Sequence, residues 1–186
     1  FGGTSVGTIE KIKKVTDIII EHKKKKNKVI VVSSAMSGVT NDLIKKSKQI
    51  SNNFIDSEYD VLVSSGEQVA CSLIAGSLNH KGFKSRSWLG WQIPIFTNGP
   101  YTNSRIQQVN KNKLLRFLKE GGIPIITGFQ GVNMNERVTT IGRGGSDASA
   151  IMIAKSFKAQ RCIIYTDVEG VYLSLIHISE PTRPDE

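Results

Sequence analysis

Five polar, glycine-rich stretches of this 186-residue chain hold the residue types that could do chemistry. They are "FGGTSVG" from Phe1, "SSAMSGVTN" from Ser33, "TGFQG" from Thr127, "GRGGSD" from Gly142 and "YTDVEG" from Tyr165. Each follows, or can follow, an apolar run. In a parallel α/β sheet such stretches gather beyond the carboxyl ends of the strands, where ligands bind. The first and fourth are short glycine loops that feed helix N-termini, whose N–H groups and dipole favour phosphate or carboxylate. Two such loops facing one crevice suit a nucleotide and an anionic acceptor together. Neither is a P-loop, because the GxxxxGK[ST] spacing is absent, and no GxGxxG fingerprint occurs.

The individual side chains leave alternatives open. Arg143 sits between glycines that let backbone approach a ligand, so it is either an anion clamp or a surface arginine. Ser146 and Asp147 fall on the first turn of a helix, where an acid is also a routine capping device. Glu67, near the start of an apolar helix, is either a solvated first-turn acid or a binding group. Asp167 ends an apolar run and suits an Asx-turn or a nucleotide contact. Ser34 and Thr40 could cap the helix after Gly38. Trp88 and Trp91 read as packing residues. Histidine is scarce: His22 and His80 lie at the polar ends of predicted helices, and no HxxxH or CxxC spacing exists. Acyl transfer and zinc hydrolysis are thereby disfavoured. Phosphoryl transfer to a carboxylate fits better, since an ionised carboxylate needs no general base and catalysis rests on positioning and charge neutralisation.

The elements that must hold these loops are legible in outline. "TIEKIKKVTDIIIEHKKKK" places Ile9, Ile12, Val15 and Ile19 at helical spacing with Thr8 as N-cap. "KVIVVSS" and "IPIITGF" read as buried parallel strands, and "FKSRSWL" as another. "DLIKKSKQI", "EYDVLVSSGEQVACSLIAGSLNHKG" and "KNKLLRFLKEGG" read as helices, the second stopped at Gly82. "IPIFTNGPYTN" reads as irregular and extended, "GRGGSDASAIMIAKSF" as a loop entering a helix at Ser146, and "RCIIYTDVEGVY" as a closing strand. Alternating strands and helices imply an α/β three-layer sandwich around a mainly parallel central sheet, with no repeat and no second domain.

Composition narrows the function class. Hydrophobic residues make up 39% and charged residues 22%, as in ordinary globular proteins. No apolar run is expected to reach the roughly 18–20 residues of a membrane span. The formal charge is +9, and eleven lysines fall in the first fifty residues. The run "KKKKNK" lies where a helix ends and complements its dipole. Aromatics do not interleave with it, so no nucleic-acid partner and no membrane partner is expected. Cys71 and Cys162 carry no pattern and read as reduced core residues of a cytoplasmic protein. The last fourteen residues, "LSLIHISEPTRPDE", look like a translated sequencing adapter fused to a shortened reading frame. Residues 173–186 are therefore set aside as a non-native tail.

Taken in order, "FGGTSVG", "VVSSAMSGVTNDL", "SSGEQVACSL", "GFKSRSWLGWQIPIFT", "ITGFQG", "TTIGRGGSDASA" and "YTDVEGVY" resemble the aspartokinases of the amino acid kinase family. The resemblance covers residues 1–172, which would form a partial, incomplete catalytic domain of the amino acid kinase fold. It implies ATP-dependent phosphorylation of the L-aspartate β-carboxylate to 4-phospho-L-aspartate, the first step of lysine, threonine and methionine biosynthesis. It implies ATP and Mg²⁺ as cofactors, and a homo-oligomer at full length. Phe1, Gly2, Gly3, Thr4 and Ser5 would lie beside the phosphates, with Thr166, Asp167 and Tyr172 lining the nucleotide pocket. Ser34 and Thr40 would contact the substrate, Glu67 would receive its ammonium, Arg143 would pair with its α-carboxylate, and Ser146 would hold it at the helix terminus. Asp147 would act with Arg143 in catalysis, organising a lysine and the metal-bound phosphates. No protein metal ligand is implied. In that family a lysine precedes the glycine loop, further segments follow "GVY", and regulatory domains lie beyond. A chain without them is expected to be inactive and poorly soluble. A kinase for another carboxylate, or a non-catalytic nucleotide-fold module, are the competing readings.

Overall fold

A computed structural model describes residues 1–142 and 144–166. Arg143, Asp167, Tyr172 and the tail 173–186 lie outside the described residues.

Helix α1 (Ile9–Lys24) forms because apolar side chains recur every three or four residues and bury one stripe: Ile12, Val15, Ile19 and Ile20 are all within 8% of full burial. Thr8 caps it, its Oγ1 accepting the Lys11 amide at 3.3 Å, and His22, Lys23 and Lys24 close the last turn against the dipole. Ile9, expected on the buried stripe, is 46% exposed. Strand β1 (Val31–Ser33) follows, then α2 (Val39–Ile50), α3 (Asp56–Val63) and α4 (Ser65–His80). Only Ser64 separates α3 from α4, so the expected long helix is present with a one-residue break. The stretch Asp56–His80 is long and apolar enough in composition to cross a membrane, contrary to the sequence expectation. Half of its apolar window is buried inside the protein. Ala70, Cys71, Ile74 and Leu78 pack without exposure into a cluster with Ile19, Val31, Ile123 and Ile125. The apolar character of α4 thus answers to a protein core, where truncating Ile74 to Ala costs about 2–5 kcal/mol.

Two sheets result. Strands β2 (Ser85–Trp88) and β5 (Ile123–Thr127) join β1 in a three-stranded sheet of order β1-β5-β2. Both pairings are parallel, with Val31 opposite Ile125 and Ser87 opposite Ile125 on the other side. Every residue of β5 is buried, as a central parallel strand covered on both faces requires. The mainly parallel expectation holds for this sheet. A second, four-stranded sheet was not expected. Strands β3 (Ile95–Asn98), β4 (Arg105–Val109), β6 (Gln130–Val132) and β7 (Val138–Thr140) run in the order β4-β3-β6-β7. Its β3–β4 and β6–β7 pairs are antiparallel. The polar β4 is exposed along most of its length, so it lacks the apolar signature by which strands are read. Helix α5 (Asn112–Lys119) covers β5, and α6 (Gly145–Phe157) begins one residue before Ser146. Residues 161–166 carry no strand, although a closing strand was expected there. Of the two cysteines only Cys71 is in the core; Cys162 is exposed, as is half of Trp91.

Candidate active site

The floor of the site is the carboxyl edge of β1 and β5. Phe1 runs alongside β1, its amino nitrogen donating to Val32 O at 2.8 Å and its carbonyl accepting the Ser34 amide at 3.0 Å. Gly2 donates to Tyr165 O at 2.9 Å, and the Phe1 and Tyr165 rings stack at 4.6 Å. The glycine loop then turns back under the β1 loop: Gly3 O accepts the Ser37 amide at 3.1 Å. A Cβ on Gly3 would stand 2.9 Å from Ala35 O, which no side chain tolerates. The glycines of "FGG" therefore serve a close passage of two backbones. From the other side, Gly128 at the end of β5 meets the first turn of α6. A Cβ there would lie 2.7 Å from Ser146 Oγ and 2.9 Å from its Cα. Three of the glycine-rich stretches, with the start of α6, are thus brought to one edge by packing that only glycine permits.

Glu67 enters this edge from α4. Its side chain is 3% exposed, and its Oε1 accepts the Ala35 amide at 3.2 Å. The approach depends on Gly66, where a Cβ would sit 2.9 Å from Ala35 Cβ and 3.1 Å from Val39 Cγ1. Its second oxygen, Oε2, is buried and accepts no hydrogen bond among the described residues. Burial pushes the Glu67 carboxyl up to about 7, against the backbone donors that hold it down. A solvated first-turn acid is excluded. What remains is a buried carboxylate with an open acceptor, an arrangement that costs free energy until a donor or cation arrives.

Asp147, on the first turn of α6, is exposed and makes no ion pair among the described residues. Helix α6 starts at a left-handed Gly144 with no side-chain cap, and Asp147 is the acid of its first turn. Ser146 and Asp147 face a cleft of about 760 Å³ whose other walls include Phe1, Val32, His22 and Tyr165. His22 Nε2 lies 3.1 Å from the Tyr165 hydroxyl.

The other predicted residues fall into place unevenly. Ser34 stands at the β1 edge, its amide bonded to Phe1. Thr40 lies on the first turn of α2, half-buried; neither residue caps that helix, whose N-cap is the left-handed Gly38. Ser5 turns its hydroxyl to Tyr165 O at 3.2 Å, and Thr4 gives its carbonyl to Lys11 Nζ at 2.8 Å. Thr166 is exposed beside Tyr165. Arg143, Asp167 and Tyr172 lie outside the described residues. Sequence reasoning missed Lys11, a cation set against the glycine loop from the start of α1, and it missed Asp60. The signal for Asp60 was an acid inside an apolar helix stretch, read only as part of the helix.

Known proteins carry a similar sequence and shape. The Amino acid kinase family profile matches residues 1–175. An aspartokinase of Geobacillus stearothermophilus is 48% identical over 172 residues, covering 92% of this chain and 42% of that protein. A solved aspartate kinase from Synechocystis superposes with a TM-score of 0.77 at 38% identity, over 90% of this chain and 28% of that one. The fold is also that of E. coli aspartokinase III solved with aspartate and ADP, with a TM-score of 0.75 at 23% identity, over 87% of this chain and 46% of that one. The chain spans less than half the length of these relatives.

Proposed function

The chain belongs to the amino acid kinase family, and we propose that its site serves ATP-dependent transfer of a phosphoryl group to the β-carboxylate of L-aspartate. The products are 4-phospho-L-aspartate and ADP. The observation that carries this reading is the open, buried oxygen of Glu67. An amino acid's α-ammonium supplies both the positive charge and the N–H donor that this oxygen lacks, and ammonium–carboxylate bonds are the strong kind when water is excluded. The likeness to aspartokinases over 92% of the chain supports the choice of aspartate as that amino acid.

With the ammonium on Glu67, the rest of the substrate extends along the β1 edge toward α6. Ser34 and Thr40 offer hydroxyls to it, and Arg143 pairs with its α-carboxylate, a planar fork that lysine cannot reproduce. Ser146 holds the substrate at the α6 N-terminus, whose dipole favours the negative charge gathered there. The β-carboxylate is already ionised and attacks without a base. The residues' work is to hold it in line and to neutralise the phosphoryl oxygens. ATP lies with its phosphates against Phe1–Ser5 and Asp147 and its nucleoside toward Thr166, Asp167 and Tyr172. Among the described residues no group of three or more histidines, cysteines or acids could hold a metal. A single exposed acid, Asp147, suits Mg²⁺ arriving on the phosphates with most of its waters. Bound there, Mg²⁺ would neutralise phosphate charge. By the same likeness the whole protein is a cytoplasmic homo-oligomer that opens lysine, threonine and methionine biosynthesis.

The test is a graft: residues 1–172 replace the matching segment of the Geobacillus stearothermophilus aspartokinase, and ADP release is followed with L-aspartate or L-glutamate. Aspartate-dependent release is expected, falling about a hundredfold in Glu67→Gln as a charge-assisted contact is lost. Turnover of glutamate without aspartate overturns the acceptor, and full activity of Glu67→Gln overturns the ammonium site.

A further inference from the structure

We propose that Asp60 is a positioning residue of the substrate site, a buried carboxylate that locks the end of β7, which leads through Gly142 into the N-terminus of α6, onto the helix pair carrying Glu67. This rests on reading that site as the L-aspartate site. Asp60 is on α3 and has no exposure. Its oxygens collect four donor contacts from two distant segments. The Thr102 amide donates to Oδ1 and Oδ2 at 3.0 Å each. The Thr140 amide donates to Oδ2 at 2.8 Å, and the Thr140 hydroxyl to Oδ1 at 2.7 Å. No cation pairs with it among the described residues.

What those two segments do explains why an acid stands there. Thr140 is the last residue of β7, two positions before Gly142, which opens the loop bearing Arg143. Thr102, at a left-handed φ of 65°, leads the turn that packs on the same loop. A Cβ on Gly142 would lie 3.0 Å from Asn103 Oδ1 and 3.3 Å from Thr102 O. The Ser104 amide then bonds Thr140 O at 2.9 Å, closing the cluster. On the other side, α3 passes into α4 through Ser64, whose carbonyl is held by Gln130 Nε2 at 2.9 Å. One carboxylate therefore fixes the segment that enters α6 against the helices that present Glu67, and so sets the span between Glu67 and Ser146 at the α6 N-terminus. The stability of α3 has no need of such a group. Burial raises the Asp60 carboxyl, and the threonine donors offset that desolvation only in part.

The experiment uses the 186-residue chain and two probes, L-aspartate and ADP, titrated by calorimetry into wild type, Asp60→Asn, Thr140→Val and Thr140→Ser. Asp60→Asn should weaken L-aspartate about tenfold, because an amide cannot accept from all of these donors. ADP affinity should change by less than about twofold, since its contacts lie elsewhere on the edge. Thr140→Val should weaken L-aspartate severalfold, and Thr140→Ser, which keeps the hydroxyl, should restore it. Unchanged L-aspartate affinity in folded Asp60→Asn overturns the proposal, and so does an equal loss for both probes. Should wild type not bind L-aspartate, the substrate reading fails by itself. Amide hydrogen exchange then decides on Asp60: faster exchange at residues 144–146 in Asp60→Asn, with Ile74 unchanged, supports positioning, and equal exchange contradicts it. If Asp60→Asn does not fold, the Thr140→Val and Thr140→Ser pair carries both readouts.

Discussion

Asp60 and Glu67 stand seven residues apart on two nearly continuous helices, both carboxylates buried, and they are built in opposite ways. Asp60 is surrounded by donors from Thr102 and Thr140. Glu67 takes the Ala35 amide on one oxygen and, among the described residues, no donor on the other. Burial raises the pKa of both. Only at Asp60 does the protein supply nearly everything an ionised acid requires. A satisfied buried carboxylate fixes the structure around it, and an unsatisfied one keeps a place for something the chain does not contain.

The largest expected effect comes from removing the satisfied acid. Asp60→Ala leaves the buried Thr102 and Thr140 donors without an acceptor and should destabilise the protein by about 3–5 kcal/mol, read from denaturant midpoints. A loss below about 1 kcal/mol would put Asp60 on the same footing as Glu67 and break the contrast. Glu67→Gln should act with the opposite sign. The folded pKa of Glu67 is about 7, above its unfolded value, so the stability it allows is fully present below the unfolded pKa and is lost as pH rises through 7. Gln cannot ionise, and the variant should be more stable than wild type by about 2–3 kcal/mol at about pH 8, with no difference at about pH 4. Thermal melts at the two pH values check this, and a destabilised Glu67→Gln at the higher pH contradicts it. Gly66→Ala should cost about 1–3 kcal/mol, since its Cβ meets Ala35 and Val39, and should weaken L-aspartate by moving Glu67 off the Ala35 amide. Smallest of all, Asp17→Asn removes an exposed ion pair with Lys81, at the end of α4 away from Glu67, and should leave both the melting midpoint and L-aspartate affinity unchanged.

The glycine loops make much of this site legible in the amino-acid sequence alone. Gly3, Gly128 and Gly142 answer to close approaches where loops converge, Gly144 to a left-handed φ of 72°, and the loops announce themselves by composition. The parallel sheet is equally open, because β1 and β5 are runs of buried, mostly β-branched residues. The second sheet is hidden. "RIQQV" of β4 is largely exposed and is held by pairing with β3, a non-local partner that no local pattern reveals. Glu67 could be suspected by position, but its open oxygen depends on Gly66 bringing α4 against Ala35. Asp60 stands out as an acid in an apolar stretch, but what it holds is hidden for the same reason: its partners, Thr102 and Thr140, lie 42 and 80 residues away in sequence. Trp91 misleads in the other direction, a large aromatic that suggests packing yet lies half exposed just beyond the edge strand β2.

The substrate assignment turns on whether Glu67 waits for a cation. Its side-chain carboxyl can be followed by carbon NMR from acid to mildly alkaline pH, without ligand and with saturating L-aspartate. Without ligand the carboxyl should titrate at about pH 7. With the substrate ammonium in place the titration should move down by more than about 1 unit, so that L-aspartate binding below neutral pH releases a proton. A Glu67 that titrates at its ordinary value in the free protein, or that L-aspartate leaves unmoved, would contradict the assignment.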